Sequence, residues 1–171
     1  MFALLSFIGL LATGPSDSIP PTDATLTLAP GQEVTVQFDA DGHWRVTERG
    51  SGSAASSAQM GRVAGAVLTD PPAQKLDTQD VPKPPKDAVS FSLEPATGRP
   101  GLILLVANGY GDRLEYSGSL RREGNSALEP TSLCPVIAHL LSYEYWPYSF
   151  AEIDLTDLRL VKETHRDQVC R

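Results

Sequence analysis

Cys134 and Cys170 bracket the last quarter of the chain, and His43, His139 and His165 are scattered along it. A Cys134 thiolate with His139 or His165 as its base would make a nucleophilic pair. That chemistry needs a free thiol, and two lone cysteines in an exported protein are most simply one disulfide. A Cys/His or metal-dependent hydrolase is therefore an alternative reading and not the leading one. The histidines show no pair at i and i+4 spacing, so no zinc or copper site is expected, and no cofactor is implied. Asp39-Ala40-Asp41-Gly42 resembles half of a calcium loop but lacks the third oxygen ligand and the distal Glu. It reads as a hairpin turn, as does Asn108-Gly109-Tyr110-Gly111-Asp112. The sequence contains no nucleophile elbow, phosphate loop or dinucleotide fingerprint. Spacing does not select Glu144 with Glu152 or Asp154 as an acid and base pair. No catalytic residue and no metal ligand is assigned.

The most unusual stretch is Tyr143-Glu144-Tyr145-Trp146-Pro147-Tyr148-Ser149-Phe150, which holds five aromatic residues in eight positions. Exposed indole and phenol rings offer flat apolar faces with polar edges, suited to a sugar ring or to a partner protein's hot spot. Tyr143, Tyr145, Trp146 and Tyr148 are the candidate binding residues. The competing reading packs the same rings over one end of the fold, and a fully buried Trp146 would favour it.

Composition bounds the partners. With 171 residues and a 41% hydrophobic fraction, the chain suits one domain with a real core. A formal charge of -7 with only 14 Lys and Arg leaves no basic footprint for nucleic acid. The N-terminal Phe2 to Ala12 is an apolar run with the length of a secretory core and no basic residue before it. As a helix it reaches about 16 Å, well short of the roughly 30 Å of a bilayer's hydrocarbon, so no transmembrane segment is expected in the mature chain. Residues 1–18 are read as a signal peptide and lead-in, and the mature protein as periplasmic or secreted. A Cys134–Cys170 disulfide would then close a loop of about 37 residues, contributing roughly 3 to 4 kcal/mol on the chain-entropy model.

Residues 19–171 are read as a single domain. Alternation predicts strands over Ala24 to Leu28, Glu33 to Phe38 and His43 to Glu48, forming an antiparallel meander. Gly50 to Ala58 has the composition of a flexible insert, and Met60 to Leu68 is only weakly apolar. Asp70 to Lys86, with five prolines, is a surface crossover between sheets. A strand follows over Ala88 to Leu93. Pro100 to Arg122 reads as a β-hairpin whose first arm, Leu102 to Ala107, is apolar on both faces. Arg121 to Pro130 is polar and ends the sheet region, and Pro135 to Leu141 suits one short helix. Over 150–161 two readings stand. Ser149 to Glu152 imitates a helix capping box, while Ile153 and Leu155, then Leu158 and Leu160, alternate as a strand joined by a bulge at Thr156-Asp157. The strand is favoured.

Leu-Ala-Pro-Gly-Gln at 28–32, Val-Ser-Phe-Ser-Leu at 89–93, Leu-Leu-Val-Ala-Asn-Gly-Tyr at 104–110, Thr-Ser-Leu-Cys-Pro-Val at 131–136 and Tyr-Glu-Tyr-Trp-Pro at 143–147 together resemble a group of small exported bacterial proteins of β-sandwich type. That resemblance implies compartment and a β-rich fold, with no activity to carry onto any residue. Residues 24–48 and 88–120 are also similar to the jelly-roll modules that follow some secreted peptidases.

The expected fold is therefore all-β: an antiparallel β-sandwich, Ig-like or jelly-roll, of seven or eight strands with a disulfide-closed C-terminal segment. The expected function is that of an exported, non-catalytic structural or interaction protein of the bacterial cell envelope, contacting a protein or an envelope component such as a glycan. A carbohydrate-binding module built on Tyr143 to Phe150 is the alternative.

Overall fold

The computed structural model describes residues 24–51, 83–96, 98–162 and 170. Among them the chain is all-β, with nine strands: β1 (Leu26–Leu28), β2 (Gln32–Phe38), β3 (Trp44–Ser51), β4 (Val89–Pro95), β5 (Leu102–Asn108), β6 (Arg113–Arg121), β7 (Leu128–Thr131), β8 (Leu141–Trp146) and β9 (Glu152–Val161). They form a four-stranded sheet in the order β1-β9-β6-β7 and a five-stranded sheet in the order β3-β2-β4-β5-β8. Every pairing is antiparallel.

One apolar core lies between the two sheets. Leu26, Leu28, Leu114, Tyr116, Leu120, Ile153, Leu155 and Leu158 come from the smaller sheet, and Val34, Val36, Phe91, Leu93, Leu104, Val106 and Trp146 from the larger. Period-two alternation puts each set on one face of its sheet. Phe91 meets Tyr116 edge to face across the gap, with ring centroids 5.9 Å apart.

Local pattern located seven of the nine strands and missed β7 and β8, and pairing departs from expectation in four places. First, β1 leaves the meander and pairs with β9, so the turn at Ala29 to Gln32 carries the chain from one sheet to the other. Gly31 makes that corner at a φ of 81° and donates its N–H to Leu93 O at 2.7 Å. Second, β5 and β6 are not a hairpin. They belong to opposite sheets, so 109–112 forms an arch. Asn108, fully buried, replaces the missing ladder bonds there: its side-chain amide donates to the carbonyls of Asp112, Val136 and Ile137 at 2.8 to 3.3 Å, and its Oδ1 accepts the Tyr110 N–H. Third, β3 and β4 both lie in the larger sheet on either side of β2, so the strands that flank the Pro-rich segment do not change sheets as the expected crossover would require. Fourth, 128–131 pairs with β6 as an edge strand. Pro130 is tolerated because only one side of an edge strand must pair.

The expected helix over Pro135 to Leu141 is absent. Instead Val136 bridges Leu114 through paired backbone bonds of 2.9 Å, and Leu133 and Val136 point into the core. The 132–140 connection thus plugs the side of the sandwich between β7 and β8. The favoured strand over 150–161 is present, and so is its bulge: Glu115 pairs Arg159 and Ser117 pairs Thr156, two steps on β6 against three on β9. Asp157 takes the left-handed conformation at φ 55°. Without that extra residue, Leu158 and Leu160 would face solvent.

Cys134 and Cys170 form the expected disulfide, closing 36 residues of sequence. Neither cysteine belongs to the apolar core, so reduction should leave the sandwich assembled but less stable, by about 3 kcal/mol in urea unfolding. Loss of the cooperative transition on reduction would contradict this. Residues 1–23, with the expected leader, lie outside the described residues, as do 52–82, which hold most of the flexible insert and the Pro-rich crossover. Gly50 and Ser51 continue β3. Among the described residues no helix is long and apolar enough to cross a membrane.

Candidate functional site

Strand alternation divides the aromatic run. Residues 141–146 pair with β5 in register Leu102 to Trp146, Ile103 to Tyr145, Leu104 to Glu144 and Leu105 to Tyr143. Leu102 and Leu104 face the core, so Trp146 and Glu144 do too, while Tyr143 and Tyr145 take the outer face. Trp146 is only 7% exposed. Its indole N–H donates to Thr131 Oγ1 at 3.0 Å, and its ring meets buried Phe150 edge to face at 5.3 Å. The single platform of four rings expected from the sequence is therefore corrected. Trp146 and Phe150 are core residues that join the two sheets at one end.

Tyr143 and Tyr145 lie on the face opposite that indole, while Tyr148 packs partly against the core. Tyr143 packs with Tyr145 against Ile103 and Ala96 on the outer face of the larger sheet. Its hydroxyl is buried without a hydrogen-bond partner, and burial pushes it up to about 12. Tyr145 donates its hydroxyl to Pro100 O at 2.9 Å, and Arg99 stands over its ring at 5.6 Å. Arg122 stands over the Tyr148 ring at 4.6 Å and bonds Glu129 at 2.8 Å.

These two tyrosine–arginine pairs share one end of the sandwich. Trp146 pairs with Leu102 at the close of β8, beside the 96–101 turn that carries Arg99. Only 147–151 separates it from β9, whose first residue Glu152 pairs with Arg121. Ala151 N–H donates to Arg121 O at 2.8 Å, which holds the Tyr148 segment against the β6 terminus beside Arg122. The sequence reading missed both arginines. Arg99 and Arg122 are remote from the tyrosines in the chain, and only the register brings them together.

Cys134 carries no thiol, because its sulfur is bonded to Cys170. The expected alternative of a Cys134 thiolate with His139 or His165 is thereby overturned. His139 is an exposed loop residue at φ 57°, and His165 lies outside the described residues. The candidate acid pairs are also separated in role. Glu152 accepts from Arg121 at 2.6 Å, Asp154 accepts from Thr27 Oγ1 at 2.6 Å, and Glu144 accepts the Cys134 N–H at 2.9 Å.

Glu144 is the one carboxylate that sits on the core face of β8. Burial pushes its carboxyl above the ordinary 4.5, while the Cys134 N–H draws it down. Its charge also adds to the burial that raises the hydroxyl of Tyr116, which has no hydrogen-bond partner. A raised folded value means the native state holds a proton that the unfolded chain releases. The cost of Glu144 is therefore absent below its unfolded value, grows as pH rises through the folded one, and is constant above. Glu144→Gln keeps an acceptor for Cys134 and removes the charge. Its stability relative to wild type should rise between about pH 4 and about pH 7. Urea midpoints at both pH values check this, and a pH-independent difference counts against it.

Compared with known proteins, the chain matches no family model, no curated protein and no solved structure.

Proposed function

We propose that this chain is a non-catalytic structural or interaction domain of the exported type. It meets a protein or glycan component of the bacterial cell envelope through the end bearing Tyr145, Tyr148, Arg99 and Arg122. The observation that carries this reading is the placement at that one end of two half-buried tyrosines, each stacked by an arginine. Tyrosine and arginine dominate interface hot spots because each offers wide contact area with a polar edge, and the stacked arginine is already ordered before a partner arrives. Export rests on the leader read in residues 1–18 and is supported by the disulfide, which persists in oxidising compartments.

Cosedimentation of the full chain with purified cell-envelope fractions tests the reading. Saturable binding is expected, weakened about tenfold by the paired change Arg122→Ala and Tyr148→Ala, since each hot-spot residue typically contributes more than about 1 kcal/mol. Equal binding by wild type and variant would sink the proposal.

A carbohydrate-binding module remains the second reading, with Tyr145 and Tyr148 as stacking rings and Trp146 excluded by its burial. Peptidoglycan fragments titrated against the protein, with amide shifts followed at 143–148, separate the two. Shifts confined to that segment favour the glycan, and no shift at saturating fragment favours a protein partner.

A further inference from the structure

At the opposite end of the sandwich, the β2–β3 turn gathers three side chains of metal-ligating type. One donor atom each of Asp39, Asp41 and His43 lies within 4.8 Å of the others. The turn is tightly built: Asp39 N–H donates to His43 O at 2.8 Å, and Gly42, at φ 85°, donates to Asp39 O at 3.1 Å. Asp39 Oδ1 accepts the N–H groups of Asp41 and His43, both at 2.9 Å. That occupies one carboxylate oxygen and leaves Oδ2 facing the imidazole, 3.5 Å from His43 Nδ1.

A separation of 3.5 Å is long for a hydrogen bond. It matches the edge between two ligands of a single ion, about 3.4 Å for a tetrahedron with bonds near 2.1 Å. The Asp39 and Asp41 carboxylates, with donor atoms within 4.8 Å of each other, repel unless a cation lies between them. Among the described residues, no lysine or arginine forms an ion pair with either Asp39 or Asp41. The donor set converges, and among the described residues the one ion-pair partner it has is His43, itself a member of the set.

We propose that this turn binds one divalent transition-metal ion of the zinc type, through Asp39 Oδ2, the Asp41 carboxylate and His43 Nδ1, with water completing the shell. The imidazole decides the metal class. Calcium takes six to eight oxygens, whereas one nitrogen and two carboxylates suit zinc, cobalt or nickel. All three ligands come from five consecutive residues between two paired strands, so the site forms with the hairpin and braces its tip. The half calcium loop visible in the sequence is thus completed by a nitrogen one residue beyond it.

Calorimetric titration of the full, untagged chain with zinc chloride tests the site, alongside nuclear magnetic resonance of the histidine rings. One ion per chain is expected, with the His43 ring signals moving first and calcium giving no response. His43→Gln, at a half-buried position, and Asp41→Asn, at an exposed one, leave the Asp39 turn bonds in place and should each weaken binding about tenfold or more, while His139→Gln should not. Absence of saturable binding at about millimolar zinc, far above the range of protein zinc sites, overturns the proposal. Unchanged affinity in His43→Gln, or loss in His139→Gln instead, overturns it equally.

Discussion

Gly109→Ala is expected to destabilise the protein by about 4 kcal/mol or more, enough to remove much of the 5 to 15 kcal/mol typical of a domain. An added Cβ would stand 1.5 Å from Pro85 O, 2.7 Å from Pro85 C and 2.9 Å from Ala88 O. All three are backbone atoms, so no side chain can swing away to make room. The Gly109 N–H also donates to Ala88 O at 2.9 Å, which fixes the two segments at contact distance. The arch between the sheets, β4's entry and the end of the crossover all meet at this point. Gly124→Ala is the control. It sits at φ 74° with open space around it, so its cost should be the conformational one alone, about 1 to 2 kcal/mol. Urea unfolding of both variants checks the contrast, and equal midpoints would mean that the arch is not packed as described.

Trp146→Ala should cost about 3 to 5 kcal/mol, as for other large aromatic truncations in a core. The substitution removes an indole that contacts both sheets, strands Thr131 Oγ1 and leaves Phe150 beside a void. Tyr148→Ala, by contrast, removes a ring that is only partly buried against the core and stacked by one arginine, and should cost less, about 1 to 2 kcal/mol. The two neighbours in the aromatic run therefore separate stability from binding. Trp146→Ala is expected to act through the fold, while Tyr148→Ala lowers the unfolding midpoint much less and weakens envelope binding in protein that is still folded. A Trp146→Ala protein as stable as wild type would return the indole to the surface and revive the single-platform reading.

The same two residues mark how far the sequence could be read. Alternation of Val34, Val36 and Phe38, of Val89, Phe91 and Leu93, and of Ile153 and Leu155 located the strands. The phase change at Thr156-Asp157 located the bulge. Side-chain direction in a strand has a period of two residues and is set by the chain itself, so local pattern suffices. The disulfide was legible for a similar reason, since two cysteines allow one intramolecular pairing. Tyr143 to Phe150 was harder. Its alternation was masked because every position but Glu144, Pro147 and Ser149 is aromatic, and no contrast of polarity shows which ring faces in.

Partner choice was not legible at all. Asn108-Gly109 suits a hairpin turn, and β5 is apolar on both faces, which a hairpin arm buried by other strands would share. It is instead flanked by β4 and β8 while the following strand joins β9 and β7. Whether a reversal becomes a hairpin or an arch depends on which distant strands compete for the ladder, and here the buried Asn108 amide binds carbonyls 28 and 29 residues away to settle it. The chain's own pattern determined seven of the nine strands, their faces and the one disulfide, but neither β7 nor β8. Only the tertiary structure decided which strands are neighbours, and with them which arginines reach which tyrosines, because pairing energy arises between segments that carry no mark of each other.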